Sequence, residues 1–567
     1  MATDARSQET KTTETFSNIR NPNAHPSWYS PQTGVYKSVY KPVSLPNEPV
    51  LDVVSFIFSK KHNGVSALVD SSSGLSISYR ELLPLVKSVA CGLQKMGVKQ
   101  GDVVMILLPN SIYFPVILLG VMCMGAVVST MNPLSSFSEL KRQTAACHAK
   151  VVFSLVDNVE NLSALGVSAV AVPERFDYES VPREFSRFYE LISSDASLFS
   201  RPVIRQEDTA AVMHSSGTTG TSKGVVLTHK NFIAMVELFV RFEASQYDLV
   251  SWEMVYLAVL PMFHIYGLSL FVMGLLSLGS KIVVMRKYNA DEMPNVIQKY
   301  GVTHFPVVPP LLAALTRAAH TDERVKLKGL KQVSCGAASL SAKNIEDFAN
   351  ALPHVDFIQG YGMTESTAVA TRGFNTDSRK NYYSVGLLSP NMEAKIVDSL
   401  AGVFKGPGSM GELWLRGPSI MKGYLNNLEE TMSTMDEEGW LHTGDICYFD
   451  KNGYLYLIDR LKEIIKYNGF QIAPAELEAI LITHPEVADV AVTAAKDEVT
   501  GEIPVAFVVK RHGSGSRISE AELIDYTAKQ VAPYKKVRKV VFTNSIPRSA
   551  AGKILRRELR NFLPSKI

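Results

Sequence analysis

Cysteine is scarce in this chain, and net charge is scarcer. Five cysteines, Cys91, Cys123, Cys147, Cys335 and Cys447, are scattered through 567 residues without any C-x-x-C spacing. An odd, dispersed set excludes a disulfide framework and a cysteine zinc site, and fits reduced core residues of an intracellular protein. The formal net charge is only +3, with 20% charged residues, so no electrostatic footprint points to nucleic acid or an acidic membrane. Residues 1–26 are polar, mixed in charge and lack the apolar stretch of a secretory signal. They read as part of a mobile arm spanning 1–40.

Long hydrophobic runs are also nearly missing. Between residues 103 and 140 the only charge is Glu139, and 112–128 is strongly apolar. Pro115, the small residues around Gly120 and Gly125, and the absence of a flanking basic cluster favour a helix packed inside a large domain over a membrane span. Neither an internal repeat nor a low-complexity tract is visible.

What is present is a globular composition, 46% hydrophobic, on a chain too long for a single core. Short β-branched runs alternate with helical patterns: 102–108 before 113–124, then 150–155, and 281–285 before 290–300. Strands separated by helix-length segments predict parallel sheets covered by helices. Near Ser384 the rhythm changes to Gly-rich strands at 393–397, 411–416 and 454–459, a more antiparallel layer. After Lys462 it changes again. Helices at 474–483 and 519–530 and strands at 487–495 and 504–509 predict a compact α+β unit.

Chemistry first shows at 215–224, SSGTTGTSKG. Ten small, hydroxylated or glycine residues with one lysine cannot build a core, yet apolar runs at 210–213 and 225–227 flank them. Such a loop, hung from strands, offers backbone N–H groups, hydroxyls and Lys223 to a polyphosphate. It is not a Walker A loop, because Ser222 stands where that motif needs glycine before its lysine.

The loop resembles the phosphate loop of the acyl-adenylate-forming superfamily, which includes acyl-CoA synthetases, 4-coumarate:CoA ligases, beetle luciferases and peptide-synthetase adenylation domains. Further motifs follow in family order from about Ser78 to Arg557, and PMFHIYGLSL, GYGMTESTA and KYNGFQIAPAELE look most like plant 4-coumarate:CoA ligases and their peroxisomal relatives. The resemblance implies an α/β chain: a large multi-subdomain domain over 41–461, with parallel sheets under helices and a distorted β-barrel layer, and a small mobile α+β domain over 462–567.

The resemblance also distributes roles. Ser215, Ser216, Gly217, Thr218, Thr219, Gly220 and Lys223 would cradle the phosphates of ATP. In QGYGMTE, Gln359, Gly360 and the Tyr361 ring would meet adenine, Thr364 the α-phosphate, and Glu365 Mg²⁺, a hard carboxylate for a hard cation. Ala337, beside Gly336 and Ala338, would form the other wall. Asp445 would accept from the ribose hydroxyls and Arg460 would add a ribose or phosphate contact. Lys553 would be the catalytic cation bridging the attacking carboxylate and the α-phosphate, where negative charge builds.

For the second substrate, coenzyme A, Lys462 matches a hinge about which the small domain rotates. The segment 466–474 matches the face presented afterwards, with Lys466 and Gln471 at the adenylate and Gly469 giving pantetheine passage. Asn468 stands where the family often has lysine, and Lys287 is a further candidate CoA contact. His264 fits an aromatic gate between acyl and CoA tunnels, or else a core histidine.

Tyr266, Ser269, Ser334, Gly336 and Val369 fall on positions lining the acid. Ser269, Ser334 and the small Ala368 and Ala370 predict few polar partners and extra room, hence a cinnamate-type, medium-chain fatty or jasmonate-precursor acid. The final Ser565, Lys566 and Ile567 resemble the serine-lysine-leucine address read by the peroxisomal import receptor, with Ile for Leu. The implied activity is an acid:CoA ligase. The rivals are an adenylating enzyme with another acceptor and an adenylate-binding protein without catalysis.

Overall fold

The computed structural model describes residues 26–176, 180–215, 223–247, 253–321, 327–375, 380–398, 401–468, 470–497, 500–511, 518–549 and 552–563. Among them, two large sheets hold the predicted parallel strands. The seven-stranded sheet runs Val103–Leu107, Val127–Thr130 and Thr209–Ser215 in parallel on one side and Ala149–Ser154 and Ser168–Ala171 on the other. A nine-stranded sheet has Ser66–Asp70, Lys281–Val284, Val255–Ala258, His304–Val307, Gln332–Cys335 and Asp356–Tyr361 as its parallel centre.

The apolar run that invited a membrane test is the buried helix Tyr113–Cys123, apolar on all sides. Gly120 explains how it is accommodated: a Cβ there would lie 2.6 Å from Val89 Cγ1, so only glycine lets the helix Tyr79–Lys95 approach so closely. That partner helix starts at Ser78, whose hydroxyl accepts from the Glu81 N–H while Glu81 accepts from the Ser78 N–H. Its Leu82, Val86, Val89 and Leu93 recur at helical spacing and are buried. Among the described residues, no helix is long and apolar enough to cross a membrane. All five cysteines are free and buried.

The change of rhythm near Ser384 corresponds to a six-stranded antiparallel sheet, and it corrects one expectation. Its first two strands are Tyr29–Ser30 and Val35–Lys37, the latter paired with Glu393–Val397. Residues 26–40 are therefore not a mobile arm. Trp28 and Tyr36 are buried, Tyr36 stacks on Phe449 at 4.5 Å and its hydroxyl donates to the Lys405 carbonyl at 2.8 Å. Aromatic burial of this size outweighs the polar character that made the segment look loose. The rest of the expected arm, 1–25, lies outside the described residues.

The C-terminal unit has its own five-stranded sheet, centred on Val487–Asp497 and Gly501–Lys510, with helices Pro474–Leu481, Glu520–Ala528 and Arg556–Asn561. Its core of Ile465, Leu477, Val492, Val508 and Leu523 is separate from those of the large domain. Arg556 ties the last helix inward: its guanidinium donates to Glu463 at 2.8 Å and to Glu478 at 2.6 Å. This clamp sets the height at which the loop before it, carrying Lys553, leaves the small domain.

Candidate active site

The predicted phosphate loop hangs from a hairpin. Thr209–Ser215 and Lys223–Thr228 pair antiparallel with Ser215 opposite Lys223. Ser216, Gly217, Thr218, Thr219 and Gly220 lie outside the described residues. At the base, Lys223 pairs with Glu430 and sits 5.1 Å from the Tyr424 ring centroid. Tyr424 in turn donates to Glu365 Oε1 at 3.0 Å. The loop lysine and the buried carboxylate expected to hold Mg²⁺ are thus linked through one tyrosine.

The expected adenine segment is a strained hairpin. Tyr361 ends the strand Asp356–Tyr361, and the chain returns in Thr371–Arg372, with Tyr361 opposite Thr371. Between them Thr367 and Ala368 take positive φ of 53° and 88°. Thr367 holds this turn by donating to the Ser419 carbonyl at 2.6 Å, and the Met421 N–H donates to the Glu365 carbonyl at 2.8 Å. Thr364 lies in the short turn Thr364–Ser366, beside Glu365. Gly336 and Ala337 follow the neighbouring strand Gln332–Cys335, and a Cβ on Gly336 would stand 3.4 Å from the Gly360 carbonyl and 3.6 Å from the Tyr266 ring. Gln359 spends its amide on the Tyr382 carbonyl, at 2.7 Å.

Asp445 joins these elements to the small domain. It is 5% exposed, its Oδ2 accepts from the Tyr361 hydroxyl at 2.6 Å, and Arg460, opposite it on the next strand, brings Nε to 3.3 Å of Oδ1. Burial pushes its carboxyl above the usual range, and Arg460, the Tyr361 hydroxyl and Lys553 pull it back. Lys553 thus comes within electrostatic reach of the same carboxylate, although it belongs to the last turn of the chain. Its loop is closed by the Ser549 N–H donating to the Lys553 carbonyl at 2.8 Å and the Gly552 N–H donating to the Ser549 carbonyl at 2.8 Å. Gly552 has φ 78°, and a Cβ on it would lie 3.1 Å from Pro310, so the loop rests directly on the large domain. Burial and Arg460 bring the Lys553 ammonium down to about 8, against the upward pull of Glu463 and Asp445.

Next to the hairpin of Tyr361 and Thr371 is a cavity lined by Tyr266, Ser269 and Val369, three of the positions expected to line the acid, and by Glu243, Ala368 and Arg372. Ser334 is buried on the adjoining strand Gln332–Cys335. His264 is half-buried at the mouth of the same segment, its ring 6.0 Å from Phe263, and burial lowers its pKa. The segment is pinned by Asn110, whose amide donates to the Leu260 carbonyl at 3.0 Å and whose oxygen accepts from the Met262 N–H at 2.8 Å.

The expectation of few polar partners is corrected here. Glu243 and Arg372 form a buried ion pair on the cavity wall, with Arg372 Nε 2.8 Å from one carboxylate oxygen and Nη2 donating to the other at 3.1 Å. Their sequence signals were faint: Arg372 is a single charge after an uncharged stretch, and Glu243 sits in a mixed helical pattern. Glu430, Tyr424, Glu463 and Asn110 were likewise missed, because each matters only through a neighbour distant in sequence.

Other expected residues are not gathered in this arrangement. Lys462, Lys466, Asn468 and Lys287 are exposed, and Asn468 adopts a positive φ of 47°. Gly469, the Gln471 side chain and Ser565, Lys566 and Ile567 lie outside the described residues. Among the described residues, no cluster of three or more His, Cys, Asp or Glu could hold a metal ion. A lone carboxylate such as Glu365 is instead the arrangement that suits Mg²⁺ held jointly with substrate phosphates.

Gly362 tests the hairpin. A Cβ there would lie 1.9 Å from the Ala368 carbonyl oxygen, which is backbone and cannot step aside. Gly362→Ala is expected to open the turn, costing about 1–3 kcal/mol, and to weaken ATP binding by separating Tyr361 from Asp445. Urea denaturation and calorimetric titration check both; unchanged ATP affinity would mean that the hairpin does not shape the nucleotide site.

The comparisons with known proteins agree with this geometry. The family model described as AMP-binding enzyme matches residues 58–425, and the AMP-binding enzyme C-terminal domain matches 476–553. The 4-coumarate--CoA ligase-like 6 of Arabidopsis thaliana is 56% identical over 543 residues, covering 96% of each chain. The peroxisomal OPC-8:0-CoA ligase 1 of the same plant is 43% identical over 541 residues, covering 95% of this chain and 96% of that one. Among solved structures, o-succinylbenzoate CoA synthetase from Bacillus subtilis, in complex with its acyl-adenylate intermediate, superposes with a TM-score of 0.76 at 25% identity, over 90% of this chain and 98% of that one. With its α/β large domain, its smaller C-terminal domain and these matches along its length, the chain belongs to the AMP-binding enzyme family and is an adenylate-forming CoA ligase, an acid-thiol ligase.

Proposed function

We propose that the protein activates an organic acid in two steps at one site and that Lys553 is the catalytic cation of the first. The observation that carries this reading is the approach of Lys553 to the Asp445–Arg460 pair while Lys466 and Asn468 stay exposed. In the first step a carboxylate oxygen attacks the α-phosphorus of ATP, an oxygen–phosphorus bond forms, and the bond to the β-phosphate breaks to release pyrophosphate. Both reactants are anionic, so a cation reaching them in a water-poor site stabilises the transition state. Asp445 orients the ribose, Arg460 steadies it, and Thr364 donates to the α-phosphate. When bound, Mg²⁺ would supply charge neutralisation for the departing phosphates, with Glu365 the residue to hold it.

In the second step the sulfur of CoA attacks the acyl carbonyl, a carbon–sulfur bond forms, AMP leaves, and the thiol proton passes to water. The Lys553 loop must leave to admit so long a thiol. Rotation of the small domain about Lys462 would bring the strand carrying Lys466 and Gln471 to the adenylate. Gly469 and Asn468 would then border the pantetheine path, with His264 at the passage between tunnels. The acid is aromatic propenoic, medium-chain fatty or of the jasmonate-precursor type; a 43% identical relative named as an OPC-8:0-CoA ligase supports the last.

Incubation with ATP, Mg²⁺, CoA and a panel of acids should release AMP and form thioester; absence of AMP with every acid would overturn the reading. Lys553→Ala should reduce adenylate formation by ~100-fold or more while sparing thioester formation from supplied acyl-adenylate. Equal loss of both would remove Lys553 from its role. Because its ammonium is brought down to about 8, Lys553 is charged below that pH and loses the charge above it. The kcat/KM of adenylation should therefore fall as pH rises through about 8, and Lys553→Arg should move that limb upward.

The serine-lysine-isoleucine end and the peroxisomal relative support a peroxisomal location through the import receptor. Removing Ser565, Lys566 and Ile567 from a fluorescent fusion should release it to the cytosol. An unchanged punctate signal would refute the address.

A further inference from the structure

The first helix of the small domain is capped from outside that domain. Pro474–Leu481 begins after Ala473, which lies in extended backbone at φ −77° and ψ 117° and has no side-chain acceptor to offer. Pro474 has no N–H, so the first donor of the helix is Ala475. That N–H donates to Asp459 Oδ2 at 2.9 Å, while the Arg460 N–H donates to Oδ1 at 2.8 Å. Asp459 belongs to the strand Leu455–Arg460 of the six-stranded sheet and is 6% exposed. The expected hinge, Lys462, lies between acceptor and donor along the chain.

Arg556 draws the same carboxylate into a larger group. Glu478, Glu463 and Asp459 all support the guanidinium charge, and burial raises the Asp459 carboxyl while Arg556 is the strongest pull downward. Glu463 and Glu478 follow Lys462 and belong with Arg556 to the small domain; Asp459 precedes it. Glu478 and Arg556 also bracket Val492, Glu478 accepting from its N–H at 2.7 Å and Arg556 Nε donating to its carbonyl at 2.9 Å. A path of short contacts therefore runs from Asp459 through the helix Pro474–Leu481 and Glu478 to Arg556, three residues beyond Lys553.

Rotation about Lys462 would strip a buried carboxylate of its donor and a helix of its cap, and both carry a cost. Only contacts that differ between two states can bias one against the other, and these are made when Lys553 faces Asp445. We infer that Asp459 is a positioning residue for adenylate formation: through the Ala475 N–H and Arg556 it latches the small domain in the orientation that brings Lys553 to Asp445. The inference rests on the two-step reading and names what holds its first state. Weakening the latch should favour the second orientation, so that thioester formation gains relative to adenylation.

The test uses the full chain labelled at two exposed positions, Glu207→Cys on the large domain and Lys529→Cys on the small one, the five native cysteines being buried. Energy transfer between the labels reads the orientation of the protein alone, with ATP and acid, and with acyl-adenylate and CoA. Pyrophosphate release and thioester formation from supplied acyl-adenylate are measured in parallel. In Asp459→Asn, which keeps the size and removes the charge, the two orientations should shift ~5- to 30-fold toward the second, the range for a helix cap or a charge-assisted hydrogen bond. The ratio of thioester to adenylation rates should rise with it. Ala473→Ser separates this effect from damage to the fold: serine at that place gives the helix its own acceptor, so the thermal midpoint should hold or rise while the orientation shifts the same way. It also carries the test if Asp459→Asn does not fold. Variants with unchanged orientation, or with both half-reactions reduced in proportion, would overturn the latch and leave the rotation standing. A wild type that keeps one orientation with every ligand while completing both half-reactions would sink the rotation, and the latch with it.

Discussion

A carboxylate taken out of water must be met by donors or by a cation, and at Asp445 both demands are met by parts of the chain that are far apart. The Tyr361 hydroxyl reaches it from the nine-stranded sheet, Arg460 from the adjacent antiparallel strand, and Lys553 from the small domain. The contact therefore relates two sheets at one carboxylate, with the Lys553 charge of the small domain acting on it. It also explains why the hairpin at 361–372 tolerates positive φ at Thr367 and Ala368: the strain is held by Thr367, Met421 and the Tyr361 anchor together.

The same site makes contrasting use of charge. Around Asp445 the charged groups are unequal in number: Arg460 pairs with the carboxylate, and burial together with Arg460 brings the Lys553 ammonium down to about 8. That is a suitable state for a group that must greet an incoming polyanion. At the acyl cavity the charges are matched one to one between Glu243 and Arg372. The two charged groups thus lie on either side of the hairpin that carries Tyr361 and Val369.

Much of the fold was legible in the sequence. The alternation of short apolar runs with helical patterns, the shift near Ser384 and the compact final unit correspond to the parallel sheets, the antiparallel sheet and the small domain. Periodicity is a local property, and so it survives reading without neighbours. Residues 26–40 defeated that reading because Trp28 and Tyr36 obtain their burial from strands more than 350 residues away. Of the candidate site, consecutive runs such as 359–365 could be singled out in the sequence, whereas partners that meet by crossing between elements, such as Tyr361 and Asp445, could not.

The sequence by itself determined that this chain carries the runs 215–224 and 359–365 and, near its C-terminus, Lys553, in the order of the family it resembles, because each is a short run readable without its neighbours in space. Only the tertiary structure decided which charges meet. Lys223 with Glu430, Tyr361 with Asp445, Arg556 with Glu463, and Glu243 with Arg372 are partners separated by between 84 and 207 residues. Coulomb and hydrogen-bond energies depend on distance in space and on burial, neither of which is written in sequence separation. For that reason the acyl cavity, which looked poor in polar groups along the chain, proved to hold a buried ion pair.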